Sequence, residues 1–391
     1  MEKPIVFLDN NSTTRVLAEV IEAMQPYWAE AYFNPASVVG ELTGCMNPIY
    51  EAKQALCEAL NASDPSEFTL TSGATEANNW VLRSILDYET EHRGNTHFIV
   101  SAIEHPSILE TALAIARHPL IDLTLGAVNS NGVIDIENIV SLIRPETRLV
   151  SIMLANNETG VIQPVGELAQ QIKKEYPECL IHTDATQAIG KIPVDLSSEL
   201  SAVDFLSLSA HKFHGPKGVG ALYIRQGRSL KPLLLGGGQQ EGRRAGTDNP
   251  ALAAGMATAL RKLTSVLGNQ FSAIASLRDD METQMEKIIP GLHILGKSVK
   301  RLPNTTLAIF PNIDGELLVH QLAEHGIAVS TGSACAQGSD RPSHVVSAMG
   351  IDYEKARNAI RISLSRFTTE RDIFFFINSF SKICQLACNS N

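Results

Sequence analysis

Between residues 67 and 224 the chain alternates short apolar runs with helix-like stretches, and each run stops at a turn. The runs cover residues 68–71, 98–101, 121–125, 149–154, 180–183, 205–209 and 221–224. Each has the length of a strand rather than of a core helix. Stretches such as 76–86 and 167–175, between them, carry helical spacing. This alternation predicts a mostly parallel sheet covered by helices on both faces. Ligands of such sheets sit outside the carboxyl ends of the strands.

One strand end stands out. Residues 203–209 read as a strand, and Ser209-Ala210-His211-Lys212-Phe213-His214-Gly215-Pro216-Lys217-Gly218 follows as a tight turn before a strand at 219–224. Lys212 is thus fixed at a carboxyl end, where partial desolvation would make its amine nucleophilic. A lone lysine there is otherwise an ordinary solvated turn residue.

Four other strand ends carry chemistry of their own. Thr71-Ser72-Gly73-Ala74-Thr75-Glu76 opens a helix, whose free N–H groups and Thr75 hydroxyl suit an anion. It lacks the further glycines of a dinucleotide fingerprint. Glu104-His105-Pro106-Ser107 places a histidine that could stack on a ligand ring or move protons. Asn156-Asn157-Glu158-Thr159-Gly160 has the composition of a turn. His182-Thr183-Asp184-Ala185-Thr186-Gln187 holds an acid that could keep a ring nitrogen protonated. Taken singly, these motifs also read as helix caps and loop residues. Together, Thr75, His105, Asn157, Asp184 and Lys212 supply a phosphate cradle, a stacking group, polar ring contacts and an amine, the set that pyridoxal phosphate (PLP) needs.

The rest of the chain frames this body. A short strand at 5–9 leads into the turn residues Asn10-Asn11-Ser12-Thr13-Thr14, then helices at 18–28 and 49–60 flank an irregular stretch with Asn34-Pro35-Ala36-Ser37. A glycine-rich polar loop spans 236–247, and 250–289 reads as one long helix. Strands at 305–310, 327–330 and 359–364 and helices at 315–325 and 369–386 then form a smaller α/β domain. We expect residues 1–15 to join that small domain, 16–260 to form the large PLP-binding domain, and 261–391 to form the small domain carrying Cys335.

Of the six cysteines, Cys335 alone lies among small polar residues, in Ser330-Thr331-Gly332-Ser333-Ala334-Cys335-Ala336-Gln337-Gly338-Ser339. An exposed reactive thiol is expected there, whereas buried cysteine is the commoner state. Arg361 alternates inward on a strand, as a fork for a carboxylate or as half of an ion pair. The cysteines lack metal spacing, which suggests reduced thiols in the cytoplasm and no metal site. A net charge of −10 argues against nucleic acid, and no apolar run is long enough for a membrane span.

These motifs resemble the cysteine desulfurases. The resemblance runs over Leu8-Asp9-Asn10-Asn11-Ser12-Thr13-Thr14, Thr71 to Glu76, Asn156-Asn157-Glu158, His182 to Gln187, Ser209-Ala210-His211-Lys212, Arg244-Ala245-Gly246-Thr247 and Gly332-Ser333-Ala334-Cys335, nearly the whole chain in order. The long segment between Cys335 and the helix start at Pro342-Ser343-His344 is similar to the group I, NifS/IscS-like branch of the class V aminotransferase family. The resemblance implies a fold-type I PLP-dependent transferase, with a mostly parallel central sheet in a large domain plus a smaller α/β domain. It implies that Lys212 bonds the cofactor, Asp184 pairs with the ring nitrogen, Gln187 and Asn157 contact the ring, and His105 stacks on it. Ala74, Thr75, Ser209 and His211 would hold the phosphate, with Thr247 entering from the second subunit of a homodimer. Asn34 and Arg361 would receive the carboxylate of L-cysteine. Lys212 would take the Cα proton, and Cys335 would take the sulfur as a persulfide for a sulfur-acceptor protein such as an iron–sulfur scaffold, which would place a cluster near Cys335. Ala245 stands where serine is usual, and Ala336-Gln337 where Thr-Ser is common. A lyase or aminotransferase of the same fold would need no Cys335. A non-catalytic scaffold would need neither Lys212 nor Asp184.

Overall fold

The apolar runs become strands because each can bury side chains on both of its faces. In a computed structural model that describes residues 5–92, 95–264, 267–332 and 343–389, the first eight strands are β1 (Val6–Phe7), β2 (Phe68–Thr71), β3 (Thr96–Ser101), β4 (Ile121–Gly126), β5 (Thr147–Ser151), β6 (Leu180–Asp184), β7 (Phe205–Ser209) and β8 (Gly220–Ile224). Among the described residues β2 to β8 form one seven-stranded sheet in the order β2-β8-β7-β6-β5-β3-β4. The pairs β3–β4, β3–β5, β5–β6 and β6–β7 are parallel. β8 runs against both of its neighbours.

Alternation along each strand sorts the two cores. Ile99, Val150, Ile181 and Leu206 pack on one face with Leu56 of the helix Asn47–Leu60 and Met256 and Leu260 of the helix Pro250–Thr264. Phe98, Val100, Leu149 and Phe205 pack on the other face with Trp80 of the helix Ala74–His92 and Ile108 of the helix Pro106–Ile115. A polar rung crosses three strands within this apolar body. His182 on β6 meets Ser151 on β5 at 2.8 Å and Ser207 on β7 at 2.9 Å. Burial pushes its imidazole down to about 4, so it is neutral.

The second sheet is built from β9 (His293–Ile294), β10 (Thr305–Ile309), β12 (Ser330–Thr331) and β13 (Ala359–Ser363), in the antiparallel order β12-β13-β10-β9. β1 pairs in parallel with β11 (Ile327–Ala328). Leu8, just after β1, packs with Met281, Met285, Phe310, Phe376 and Phe380 in a separate core. Of the helix expected over 250–289, the described residues form Pro250–Thr264 and Leu267–Ile288, and 265–266 lie outside them. The first stretch packs into the large core and the second into the small one.

Backbone crowding locks the turn at β2 to the sheet. A Cβ on Gly220 would lie 2.3 Å from the Leu208 carbonyl oxygen and 2.8 Å from the Gly73 Cα. Neither neighbour is a flexible side chain. Gly220→Ala is therefore expected to cost about 1–3 kcal/mol, as overpacked sites do. A urea titration would show it as a lowered midpoint with an unchanged slope, and an unchanged midpoint would contradict the crowding.

Candidate functional site

The carboxyl ends of the strands converge on a cavity of about 320 Å³, lined among others by Ala74, Thr75, His105, Asn157, Asp184, Gln187, Ser209, His211, Lys212 and Arg361. Ten residues that the sequence picks out, nine from five strand ends and Arg361 from a later strand, thus share one space. Lys212 closes the 3-10 turn Ala210–Lys212 after β7. Its Nζ donates to the carbonyls of Asn11 at 2.6 Å and Ser12 at 2.8 Å. Asp184 ends β6 and is buried; its Oδ2 accepts from Asn78 Nδ2 at 2.8 Å and its Oδ1 from the Thr186 N–H at 2.9 Å.

Another part of the cavity wall is built from the start of the helix Ala74–His92. Its first N–H, of Ala74, donates to Ser209 Oγ at 3.0 Å. Beside it, burial and the nearby Lys212 and Lys217 hold His211 at about 4, so it is a neutral donor or acceptor. Gln187 donates from Nε2 to the Asn11 carbonyl at 2.9 Å, while its Oε1 accepts from Lys191. Arg361 is 2% exposed and anchored by Asp9 at 2.7 Å, with Nη1 on the carbonyls of Asn157 at 3.2 Å and Gly332 at 3.3 Å. Its Nε is buried with no hydrogen-bond partner among the described residues, as is Thr186 Oγ1 on the same cavity wall. Orphaned buried donors at a cavity are what an absent ligand leaves. An acid at one end, a helix N-terminus at the other and a lysine between them fit PLP.

Two expected contributors stand apart. Asn34 and Thr247 are exposed and do not line this cavity within the one chain. Cys335 lies outside the described residues. Cys45, Cys57, Cys179 and Cys384 form no disulfide, and burial pushes Cys179 up to about 12, far from a thiolate.

The sequence reading missed several buried groups. Asn11 reads as a turn residue and is a hub. Asn78 reads as helix surface and orients Asp184. Lys191 is buried, with its ammonium on Asn11 Oδ1 at 3.0 Å and on Gln187; burial, then Lys212 and Arg361, hold it well below the usual lysine range. Glu158 lines the cavity and accepts from Ser343 Oγ at 2.5 Å, and burial raises its carboxyl. Glu104 accepts from Ser101 Oγ at 2.6 Å and the Met153 N–H at 2.7 Å. Glu104 and Glu158 lie within motif stretches that the sequence marks, whereas Asn78 and Lys191 lie seven residues past the ends of β2 and β6.

The fold and site are those of a fold-type I PLP enzyme. The sequence matches the aminotransferase class-V family over residues 6–376. It is 40% identical over 368 residues to a cysteine desulfurase of Cereibacter sphaeroides, covering 94% of this chain and 92% of that protein. It is 39% identical over 370 residues to the cysteine desulfurase NifS of Azotobacter vinelandii, covering 94% and 90%. A solved NifS-like protein superposes with a TM-score of 0.90 at 38% identity, over 98% of this chain and all of that one. SspA, solved in complex with cysteine, superposes with a TM-score of 0.80 at 30% identity, over 93% of this chain and 99% of that one. The chain belongs to the class V aminotransferase family, among its NifS/IscS-like cysteine desulfurases.

Burial raises Glu104 to about 8, against the two hydrogen bonds it accepts. The folded chain therefore binds a proton at Glu104 that the unfolded chain has lost above about 4.5. This contribution to stability is complete below pH 4.5 and is lost as pH rises through 8. Glu104→Gln should flatten the pH dependence of unfolding between 5 and 8 by about 1.4 kcal/mol per pH unit. Urea unfolding at several pH values measures it, and an unchanged slope would mean that Glu104 is ionised in the fold.

Proposed function

We infer that this chain is a PLP-dependent cysteine desulfurase in which Lys212, Asp184, His105 and Arg361 serve one cavity and Cys335 receives the sulfur. The observation that carries this reading is the meeting of Lys212 Nζ, the Asp184 carboxylate and the unpartnered Nε of Arg361 on that cavity. Bound PLP supplies an electron sink beside the substrate Cα. The Ala74 N–H, Thr75, Ser209 and His211 take its phosphate at the helix N-terminus. Asp184 would pair with its ring nitrogen, Gln187 would contact its ring hydroxyl, Asn157 would lie at the cofactor and His105 would stack on the ring.

Arg361, with Asn34, orients L-cysteine by its carboxylate. Lys212 Nζ takes the proton from the substrate Cα. The Cys335 thiolate then attacks the substrate sulfur. A sulfur–sulfur bond forms, the carbon–sulfur bond breaks, and L-alanine leaves with the persulfide held on Cys335. A sulfur-acceptor protein, such as an iron–sulfur cluster scaffold, takes that sulfur, and a cluster assembled there would lie near Cys335. The free thiols of Cys45, Cys57, Cys179 and Cys384 fit a reducing, cytoplasmic setting. Among the described residues no helix is long and apolar enough to cross a membrane.

A homodimer completes the site in this reading. Thr247 and Asn34 are exposed in the single chain, and Trp28, Tyr32, Val38, Leu42 and Leu235 expose large apolar surface. A partner subunit would cover these side chains and receive Thr247 at its phosphate end.

Cys335→Ser should still bind PLP and L-cysteine, since neither uses the thiol, while alanine release falls by about 10²–10⁴-fold. Alanine and persulfide assays on the purified variant measure this, and near-normal alanine yield would overturn the role of Cys335. Lys212→Ala and Thr247→Ala chains should each be inactive alone. Mixed, they form hybrid dimers with one site free of both substitutions, so activity should return. Hybrids shown to have formed but still inactive would refute a shared site.

A further inference from the structure

His105 caps the helix Pro106–Ile115 and turns Nδ1 toward its own chain. The Ser107 N–H donates to Nδ1 at 3.1 Å, and Ser107 Oγ lies 2.8 Å from the same nitrogen. The neighbour Asn78 decides which way that hydroxyl points. Asn78 Nδ2 lies 2.8 Å from Asp184 Oδ2 and 2.8 Å from Ser107 Oγ. An ionised carboxylate only accepts, so the amide must present its NH₂ to Asp184. The second N–H of that group then goes to Ser107 Oγ. Ser107 Oγ accepts there and has its own proton left for His105 Nδ1. The single lone pair of Nδ1 thus faces two donors, and no proton fits on it.

We propose that Asn78 and Ser107 are positioning residues that hold His105 in the Nε2–H tautomer, so that His105 donates a hydrogen bond into the cavity and does not act as a base. Protonating the ring would turn the Ser107 hydroxyl away and leave the Ser107 N–H opposed to another donor, and both changes are costly in a buried place. Burial lowers the His105 pKa, Lys212 and His344 lower it further, and Asp184 opposes them. These three groups, from the turn after β7, the helix His344–Ala348 and the end of β6, face His105 together with its neighbour Glu104. An Nε2–H suits a negatively charged acceptor. Under the function proposed above, on which this step rests, that acceptor is the sulfur of L-cysteine taken up as its thiolate, its proton having passed to bulk water before binding.

The tautomer can be read without turnover. Nitrogen-15 spectra of the histidine-labelled chain free of cofactor, with His105 assigned by its loss in His105→Gln, distinguish a bare ring nitrogen from a protonated one. A bare Nδ1 and a protonated Nε2 at pH 7–8 are expected. Ser107→Ala should raise the His105 titration midpoint by about one pH unit, since one donor to the neutral ring is gone, and Ser107→Thr should restore it. A proton on Nδ1 in the unsubstituted chain would overturn the proposal, as would a folded Ser107→Ala chain with an unmoved midpoint. If Ser107→Ala fails to fold, the spectrum of the unsubstituted chain decides alone. The expected tautomer in a holoenzyme that releases no alanine from L-cysteine would refute the desulfurase reading and leave the tautomer standing.

Discussion

The hydrogen bonds of Asn11 hold the site together. This residue is 1% exposed. Its carbonyl receives both Lys212 Nζ and Gln187 Nε2. Its side-chain oxygen receives Lys191 and Asn304, and its side-chain nitrogen reaches Thr305 Oγ1 and the Asn157 carbonyl. One short turn near the N-terminus thus ties the turn after β7, the segment after β6 and strand β10 to each other. Buried polar groups are tolerable only when satisfied, and a satisfied network is rigid. Lys212 and Lys191 are held here by neutral carbonyl oxygens, which cannot be titrated away, and Arg361 by the Asp9 carboxylate.

The same logic explains the pattern of protonation around the cavity. His182 is neutral because burial outweighs Asp184, and His211 because burial and the nearby lysines act together. Lys191 is surrounded by carbonyls and by other cations. The described charges near the substrate end are then the Asp184 carboxylate, bonded by Asn78, and Arg361, bonded by Asp9. A substrate carrying a carboxylate enters a site whose positive charge is partly prepaired and whose remaining donor, Arg361 Nε, is unspent.

Much of this was legible in the sequence, for a physical reason. In a parallel sheet the period-two pattern and the turn residues fix where each strand stops, and ligands gather at those stops. Lys212, Asp184, His105, Asn157 and Thr75 could therefore be named from position alone. Asn78 and Lys191 could not, because each lies a turn or more into a segment after a strand end, where a polar residue ordinarily faces water. Asn11 escaped because its partners lie up to 294 residues away, and local pattern carries no record of such distant bonds.

The ion pair between Asp9 and Arg361 spans 352 positions of the chain. Closing so long a loop adds entropy cost only slowly with length, but it delays the contact until both ends exist. During synthesis the large sheet can assemble while Arg361 is still unmade. Arg361 then arrives after the lysine and the acid, together with the strand β13 that pairs with β10 and β12. A nascent chain thus carries Lys212 and Asp184 in place before the Asp9–Arg361 pair can close, so the wall of the cavity that Arg361 forms matures after the others.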